Sequence, residues 1–294
     1  MYKRQIKPSG DLRVCLDPSD LNNEIQREHY KTLTTEEITH EFAHSKFFSR
    51  FDVADAYWSI KLDYDSSLLT TFNSPFGRYR FKRLPFGLVC SQDIFQKRMD
   101  QILEKCEGCI NIADDINIHG CTEEEHDRRL RHLMHVARQH GLIFSRKKTS
   151  IKEPFIKFFG CIYDANGVHP DPEKVAAVHS LPAPTDVTKL QEFLGLVTYL
   201  HEFIPGLSTL TAPLRELLKK DADFIWNSSY DAAFNRIKQA VVYDCTLRYY
   251  DVHRPVTIQV DASKHGLGAA LLQDGKPVAF ARLACESNWF PILK

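Results

Sequence analysis

The first half of the chain mixes apolar runs with amphipathic stretches. Residues 47–53 are rich enough in apolar side chains to form one buried strand, and Trp58, Ile60 and Leu62 then alternate with less apolar neighbours at the two-residue period of a strand. From Ser91 onward the apolar spacing changes to that of a helix. The predicted inward face of this helix consists of Ile94, Phe95, Met99, Ile102 and Leu103.

The segment 109–119 predicts a β-hairpin, because isoleucines at 110, 112, 116 and 118 flank a central pair of aspartates. Thr122 and Glu125 then form a capping-box pattern, which predicts the start of a helix. The expected end of that helix is Gly141. Its predicted inward residues are Leu130, Leu133 and Ala137.

A second section begins near Gly167, is punctuated by prolines at 170, 172, 182 and 184, and contains two or three amphipathic helices. Two helix faces are predicted, one from Leu190, Phe193, Leu194 and Val197 and one from Ala233, Phe234, Ile237 and Val241. From Pro255 the two-residue period returns and predicts three antiparallel strands, with Asp274-Gly275 as a hairpin turn. The predicted strands are 257–260, 268–272 and 277–281.

Composition excludes several classes of protein. The 294 residues are 43% hydrophobic, which suffices for a packed core, and 38 basic residues balance 38 acidic ones. That balance excludes a strongly basic nucleic-acid coat protein and an acidic disordered tail, so a charged partner must meet local patches. No apolar stretch approaches the roughly 20 residues of a membrane span, and the N-terminus lacks the apolar segment of a signal peptide. We therefore expect a soluble intracellular protein without a membrane partner.

Cysteine and histidine add little. The eight cysteines are scattered and do not form a disulfide framework. Cys106 and Cys109, with His119 and Cys121 downstream, could suit zinc, but buried free thiols are the favoured interpretation. The histidines form no zinc-protease motif, and three of them are predicted on a solvent-facing side of a helix: His126, His132 and His135.

Three carboxylates stand where predicted strands end. Asp52 follows the apolar residues 47–51, and Asp114 and Asp115 interrupt the isoleucine hairpin. Carboxylates that meet at a buried sheet edge repel one another unless cations compensate them, and two divalent ions about 3.5–4 Å apart are the arrangement used in phosphoryl transfer. The alternative is an ordinary hairpin turn, since aspartate is common there, and the doublet alone favours this alternative.

The motifs around these aspartates favour the metal site over the ordinary hairpin turn. Residues 49–60, SRFDVADAYWSI, resemble the first catalytic motif of reverse transcriptases, and residues 76–88, FGRYRFKRLPFGL, followed by Ile94-Phe-Gln, resemble the second. The third motif is matched by 112–116, IADDI, and two further motifs follow in the family's order: 141–148, GLIFSRKK, and 158–160, FFG.

The second half extends the resemblance. Residues 166–175 and 190–196 are similar to the connecting region of gypsy-type long-terminal-repeat retrotransposon polyproteins, and 260–269 resemble the start of their ribonuclease H domain. The implied fold is α+β: right-hand polymerase fingers and palm over 1–165, a helical thumb and connection over 166–250, and a truncated ribonuclease H-like sheet over 251–294.

The resemblance implies RNA- and DNA-templated DNA synthesis with two Mg²⁺ ions, or Mn²⁺ as an alternative. The implied metal carboxylates are Asp52, Asp114 and Asp115. Lys148 matches the lysine that protonates the leaving pyrophosphate, although with Arg146 and Lys147 it could equally form a solvated basic face. Implied partners are an RNA or DNA template with a DNA primer, dNTPs and other parts of a Pol polyprotein. The implied compartment is the cytoplasm, within retroelement particles, or else the nucleus.

The resemblance also assigns the binding positions. Tyr57 would lie against the sugar and exclude a 2′-hydroxyl, unless it is simply a core residue. The full set of implied nucleotide-binding residues is Arg13, Lys7, Val53, Ala54, Asp55, Ala56, Tyr57, Phe86 and Gly87. The implied primer contacts are Ile112, Phe159 and Gly160. Residues 72–92 contain aromatic and basic side chains and no acid, which suits phosphates and stacked bases.

Three departures from the family pattern stand out. Ile112 replaces an aromatic residue, Gln92 replaces a proline, and both ends are missing, with Asp261 as the sole ribonuclease H acid. We therefore expect no ribonuclease H activity. A competing hypothesis is a decayed or domesticated retroelement fragment that binds primer–template without extending it.

Overall fold

The computed structural model describes residues 2–6, 10, 12–219, 222–241, 245–263 and 266–284. Contacts within the chain divide it into two units. The first unit comprises 1–41 and 45–154, and the second comprises 42–44 and 155–294. Lys7 lies outside the described residues, and Arg13 is described through its backbone alone.

The first unit contains eight strands and five helices among its described residues. In chain order they are β1 (Tyr2–Ile6), β2 (Leu12–Leu16), α1 (Ser19–Glu24), α2 (Thr35–Glu41), β3 (Phe47–Asp52), α3 (Tyr64–Leu69), β4 (Phe72–Ser74), β5 (Gly77–Tyr79), α4 (Ser91–Leu103), β6 (Cys109–Ile112), β7 (Asp115–Gly120), α5 (Glu123–His140) and β8 (Ser150–Glu153).

An antiparallel sheet of order β6-β7-β3-β8 organises this unit. The predicted hairpin is confirmed as β6 and β7, with the aspartates at its turn. Phe51, Ile116 and Ile118 are buried in one cluster with Phe95 and Leu133, which come from α4 and α5. The two helices therefore pack against one face of the sheet.

The capping signals around α5 are confirmed. Thr122 Oγ1 accepts a hydrogen bond from the Glu125 amide, the Glu125 carboxylate accepts one from the Cys121 amide, and Gly141 ends the helix in the left-handed conformation. The solvent-facing prediction for His126 is wrong: this side chain is fully buried and hydrogen-bonds Ser49 Oγ at 2.8 Å. Sequence spacing did not reveal that β3 supplies a hydroxyl opposite this helix position.

Two further local predictions need correction. Residues Ala56–Ser59 form a 3₁₀ turn rather than a strand. On α4, Phe95, Met99 and Leu103 are buried as expected, but Ile94 is 41% exposed.

The second unit contains the elements from residue 155 onward. In chain order they are β9 (Phe155–Phe158), β10 (Cys161–Asp164), β11 (Gly167–Pro170), α6 (Pro172–Ser180), α7 (Val187–Tyr199), α8 (Leu207–Glu216), α9 (Ser228–Ala240), β12 (Thr257–Ser263), β13 (Gly266–Gln273) and β14 (Lys276–Ala284).

Apolar side chains from the four helices α6 to α9 form one buried core. The predicted faces on α7 and α9 are confirmed, with Phe193 and Phe234 in ring contact at 4.5 Å between centroids. Strands β9 to β11 form one antiparallel sheet and β12 to β14 another, and Asp274-Gly275 makes the predicted turn of the β13–β14 hairpin. In the part of the chain that the structure describes, no helix combines the length and apolarity needed to cross a bilayer.

Candidate active site

Strand pairing brings two of the predicted carboxylates together. Asp52 ends β3 and is paired in register with Asp115, the first residue of the antiparallel strand β7. Asp114 lies in the turn just before β7, and its carbonyl accepts a 2.7 Å hydrogen bond from the Val53 amide. The strand ends thus converge on one sheet edge, as the sequence predicted.

Lys148 reaches the same edge from a 3₁₀ turn, Arg146–Lys148. Its Nζ donates to Asp52 Oδ2 at 2.7 Å, and Asp52 is only 6% exposed. The hydrogen bond to Asp52, aided by the charges of Asp114 and Asp115, raises the pKa of Lys148. The charges of all three carboxylates therefore act on one ammonium group, and the three carboxylates form a single electrostatic site.

Arg50 is a site residue that sequence reasoning missed. Its Nη2 donates to both carboxylate oxygens of Asp115, at 2.9 and 2.8 Å. Burial raises the pKa of Asp115 despite this guanidinium, and the nearby charges of Asp114 and Asp52 add to the rise. The ionised site thus carries crowded negative charge that a cation would stabilise.

A second missed residue, Gln96, fixes the turn of the hairpin. It is buried on α4; its Oε1 accepts from the Ala113 amide at 2.8 Å and its Nε2 donates to the Asn111 carbonyl at 3.1 Å. Ala113 has a positive φ of 54°, a conformation that needs such support in a residue with a side chain. The only sequence signal for Gln96 was its place in the Ile-Phe-Gln triplet.

The segment after β3 lies beside these carboxylates. The amides of Val53 and Ala54 donate to the carbonyls of Asp114 and Ile143, at 2.7 and 2.8 Å. Asp55 adopts the left-handed conformation, and Ala56 opens the 3₁₀ turn. Two of the four predicted main-chain donors, the amides of Val53 and Ala54, are therefore already hydrogen-bonded within the chain, which leaves the amides of Asp55 and Ala56 as the candidates to bind a nucleotide.

Tyr57 packs between two phenylalanines. Its ring centroid is 4.8 Å from that of Phe86 and 5.5 Å from that of Phe95, and its hydroxyl donates to Gln92 Oε1 at 2.5 Å. Phe86 is half-buried, and its carbonyl accepts a hydrogen bond from the Leu16 amide of β2, the strand on which Arg13 lies. The structure thus places Tyr57 and Phe86, two of the predicted nucleotide-binding residues, in one aromatic cluster.

Gly87 lies so close to the main chain of Leu16 that a side chain has no room there. Its φ is +109°, and a Cβ at this position would lie 2.0 Å from the Leu16 carbonyl oxygen. We expect Gly87→Ala to lower the free energy of unfolding by more than Gly77→Ala, because Gly77 has a φ of +119° with no atom within 4 Å of an added Cβ. Strain alone should cost Gly77→Ala about 1–3 kcal/mol. Denaturant unfolding of both variants measures the difference, and equal losses would contradict the close approach.

Of the remaining predicted positions, Ile112 lies beside the carboxylates, because it is paired in register with Asp115. Ile112 is buried at the end of β6. In the second unit, Phe159 is half exposed with a φ of 49°, its carbonyl accepts from the Tyr199 hydroxyl at 3.0 Å, and Gly160 follows with a φ of 70°. Asp261 is exposed on β12 opposite Gly268, and none of the other predicted catalytic residues lies in this unit.

Within the described residues no three Asp, Glu, His or Cys side chains are grouped as metal ligands. The donor set nevertheless suits a hard divalent cation, because Mg²⁺ prefers carboxylate oxygens. The Lys148 ammonium donates a hydrogen bond to Asp52, so a positive charge already lies against these carboxylates.

The sequence of this chain matches two family models. Residues 6–163 match the model described as reverse transcriptase (RNA-dependent DNA polymerase), and residues 226–288 match an RNase H-like domain found in reverse transcriptase. The first of these matches covers more than half of the chain.

Curated relatives are retrotransposon polyproteins. The chain is 29% identical over 280 residues to the retrovirus-related Pol polyprotein from transposon gypsy of Drosophila melanogaster, covering 90% of this chain and 27% of that protein. It is 29% identical to the transposon Tf2-3 polyprotein of Schizosaccharomyces pombe, covering 91% of this chain and 20% of the relative. The chain thus spans roughly a quarter of the length of these proteins.

Solved structures confirm the predicted α+β right-hand fold. The chain is similar to a foamy viral protease-reverse transcriptase in complex with double-stranded DNA, with a TM-score of 0.88, 23% identity, and coverage of 97% of this chain and 51% of that one. A foamy viral protease-reverse transcriptase in complex with an RNA/DNA hybrid gives a TM-score of 0.84 at 22% identity, covering 97% of this chain and 39% of that one. Taken with the family match, these similarities identify the chain as a member of the reverse transcriptase family.

Proposed function

We propose that this chain is a template-directed DNA polymerase that uses RNA or DNA as template and adds dNTPs to a primer 3′-hydroxyl. The observation that carries the proposal is the convergence of Asp52, Asp114 and Asp115 with Lys148 at one sheet edge. A hairpin turn without function would not need a lysine from a distant segment. The alternative is a domesticated fragment that binds primer–template without catalysis.

The proposed domain assignment follows the sequence. Residues 1–165 would form fingers and palm, 166–250 the thumb and connection, and 251–294 part of a ribonuclease H-like domain. The helical core of α6 to α9 and the sheet β12–β14 support the latter two assignments.

The three carboxylates would hold two Mg²⁺ ions, with Mn²⁺ as an alternative. When bound, such ions promote ionisation of the attacking hydroxyl and stabilise charge on the phosphates. Asp52 and Asp115 suit this role because the sheet fixes their backbones opposite each other. Arg50 holds the Asp115 carboxylate through both of its oxygens and so orients it.

In chain extension the primer 3′-hydroxyl loses its proton to solvent, its oxygen forms a bond to the α-phosphorus of the dNTP, and the bond from that phosphorus to pyrophosphate breaks. Lys148 would give its proton to the departing pyrophosphate oxygen. Its ammonium is well suited to this step because it lies at the carboxylate edge while remaining 63% exposed toward solvent.

The nucleotide would lie over the segment that follows β3. The first amides of a short helical turn have no partner within it, so Asp55 and Ala56 are positioned to donate to a triphosphate. Arg13, with Lys7, would bind the same group from the fingers. Tyr57, next to Phe86 and Gly87, would face the sugar.

The proposed partners are a primer–template, dNTPs and other parts of a Pol polyprotein. Similar solved proteins are described in complex with double-stranded DNA and with an RNA/DNA hybrid, which supports a duplex partner. We propose that Ile112, Phe159 and Gly160 contact the primer. The proposed compartment is intracellular.

Extension of a labelled DNA primer on an RNA template, with dNTPs and Mg²⁺, tests this function. Stepwise extension that EDTA abolishes is the expected result. Tight primer–template binding without any extension would instead establish the non-catalytic alternative.

Lys148→Met should reduce the single-turnover extension rate about tenfold. General acids often contribute more than that, but this side chain is largely exposed and water can replace it in part. The matched control is Lys147→Met, which removes an exposed charge from the same turn. If the two variants lost rate equally, Lys148 would belong to a general basic face.

The fingers hairpin of β4 and β5 should contact single-stranded template. Phe76 is 86% exposed at its tip, and Tyr79 is 51% exposed beside Arg78. Because base–aromatic stacking contributes about 1–3 kcal/mol per base, Phe76→Ala with Tyr79→Ala should weaken binding of an overhanging template by at least about thirtyfold. Fluorescence anisotropy with overhanging and blunt duplexes measures this effect, with Tyr250→Ala as a control for another exposed aromatic residue. Equal weakening on blunt duplex would contradict a template contact.

A further inference from the structure

We propose that Gln92 is a positioning residue for sugar selection: it fixes the ring of Tyr57 by accepting the hydrogen bond of the Tyr57 hydroxyl. The inference rests on the proposed polymerase function, in which Tyr57 faces the sugar. Gln92 stands where the resemblance to reverse transcriptases predicts proline, and proline has no side chain that could accept this bond.

The contact joins two segments that are distant in sequence. Tyr57 Oη lies 2.5 Å from Gln92 Oε1, across 35 residues. Phe86 and Phe95 pack against the same ring, at 4.8 and 5.5 Å between centroids. The phenylalanines restrict the position of the ring through packing, and the hydrogen bond restrains its far end.

Gln92 is held by a rigid backbone. It lies in the first turn of α4 between Ser91 and Asp93, which are 2% and 7% exposed. Ser91 Oγ donates to the Pro85 carbonyl at 2.8 Å, and Arg27 Nε donates to the Asp93 carboxylate at 2.7 Å. Both neighbours are therefore anchored without help from Gln92, which leaves its amide group for Tyr57.

Rigidity matters because a ring can exclude a 2′-hydroxyl only if it does not move aside. A side chain that can tilt relieves the clash at little cost, and the ribonucleotide is then admitted. Steric discrimination therefore depends on what holds the ring as well as on its size. Loss of the hydrogen bond should weaken discrimination without emptying the ring's site.

The test measures single-nucleotide incorporation of dNTP and rNTP, as kcat and KM for each, in four proteins: wild type, Gln92→Met, Tyr57→Phe and the double variant. Methionine has nearly the shape of glutamine but cannot accept this bond. We expect either single change to lower the preference for dNTP about threefold to tenfold, the range that one neutral hydrogen bond supplies. In the double variant, Gln92→Met should have no further effect.

Gln92→Glu retains an acceptor and should keep a preference close to wild type, since any repulsion of the triphosphate acts on both nucleotides alike. Melting temperatures are followed in parallel, and Tyr57→Phe carries the test by itself if Gln92→Met does not fold. An unchanged preference in Tyr57→Phe, or an equal effect of Gln92→Met with and without the tyrosine hydroxyl, would overturn the proposal. Absence of dNTP incorporation by the wild type would instead refute the polymerase function, and the role of Gln92 with it.

Discussion

Asp114→Asn should abolish primer extension while primer–template binding falls by less than about threefold. Asparagine has the shape of aspartate and leaves the main chain unchanged, so the carbonyl that accepts from Val53 is retained. The substitution removes one of the three carboxylate charges that act on Lys148. Duplex affinity depends mainly on basic and aromatic surfaces that contact phosphates and bases, and these remain intact.

Asp52→Asn should give the same result, because that carboxylate accepts the Lys148 hydrogen bond. Single-turnover extension and anisotropy are measured side by side, with Asp65→Asn as a control that removes an exposed carboxylate from α3. Undiminished extension by either site variant would refute the assignment of the carboxylates.

Tyr57→Ala should raise the use of rNTPs relative to dNTPs by up to about a hundredfold, with some loss of overall rate. Forcing an extra group into a filled site typically costs about 1–3 kcal/mol, and removal of the ring removes that clash. Tyr57→Phe should have a smaller effect, the loss of about threefold to tenfold expected for the hydrogen bond to Gln92, because it keeps the ring between Phe86 and Phe95. Single-nucleotide incorporation of both substrates gives the ratio.

A core role for Tyr57 leads to a different result. Large-to-small core changes cost about 3–5 kcal/mol of unfolding free energy, and both substrates would then lose equally. A large fall in melting temperature with an unchanged ratio would therefore assign Tyr57 to the core.

Local signals in the sequence predicted much of the fold. The isoleucine hairpin, the capping box of α5 and the Asp274-Gly275 turn each depend on residues a few positions apart, and the structure has all three. The alternation around Trp58 misled because the turn Ala56–Ser59 happens to carry apolar residues at every second position. Periodicity over so few residues cannot separate a strand from a short 3₁₀ turn.

The sequence predicted the carboxylates of the candidate site, but it did not predict the arginine, glutamine and histidine side chains that bind these carboxylates and their strands. Arg50 binds Asp115, 65 positions away, and Gln96 binds the Ala113 amide, 17 positions away. The buried His126 bonds Ser49 of β3, 77 positions away. No local spacing encodes such pairs, since they depend on which strands and helices pack together. Gln92 departs from the family pattern, but its bond to Tyr57 depends on the tertiary structure and has no signal in the sequence.

The pairing of β3 with β7 and β8 has a consequence for folding. Asp52 meets Asp115 and Lys148 only after loops of more than 60 and of nearly 100 residues have closed. Closing long loops loses chain entropy before any contact compensates for it, so such pairings form more slowly than local ones. We therefore expect the carboxylate edge to assemble late in folding, after the local hairpins. A nascent chain that has left the ribosome only as far as β7 would hold its acids near one another without Lys148, and catalytic competence would have to await synthesis of the segment that follows α5.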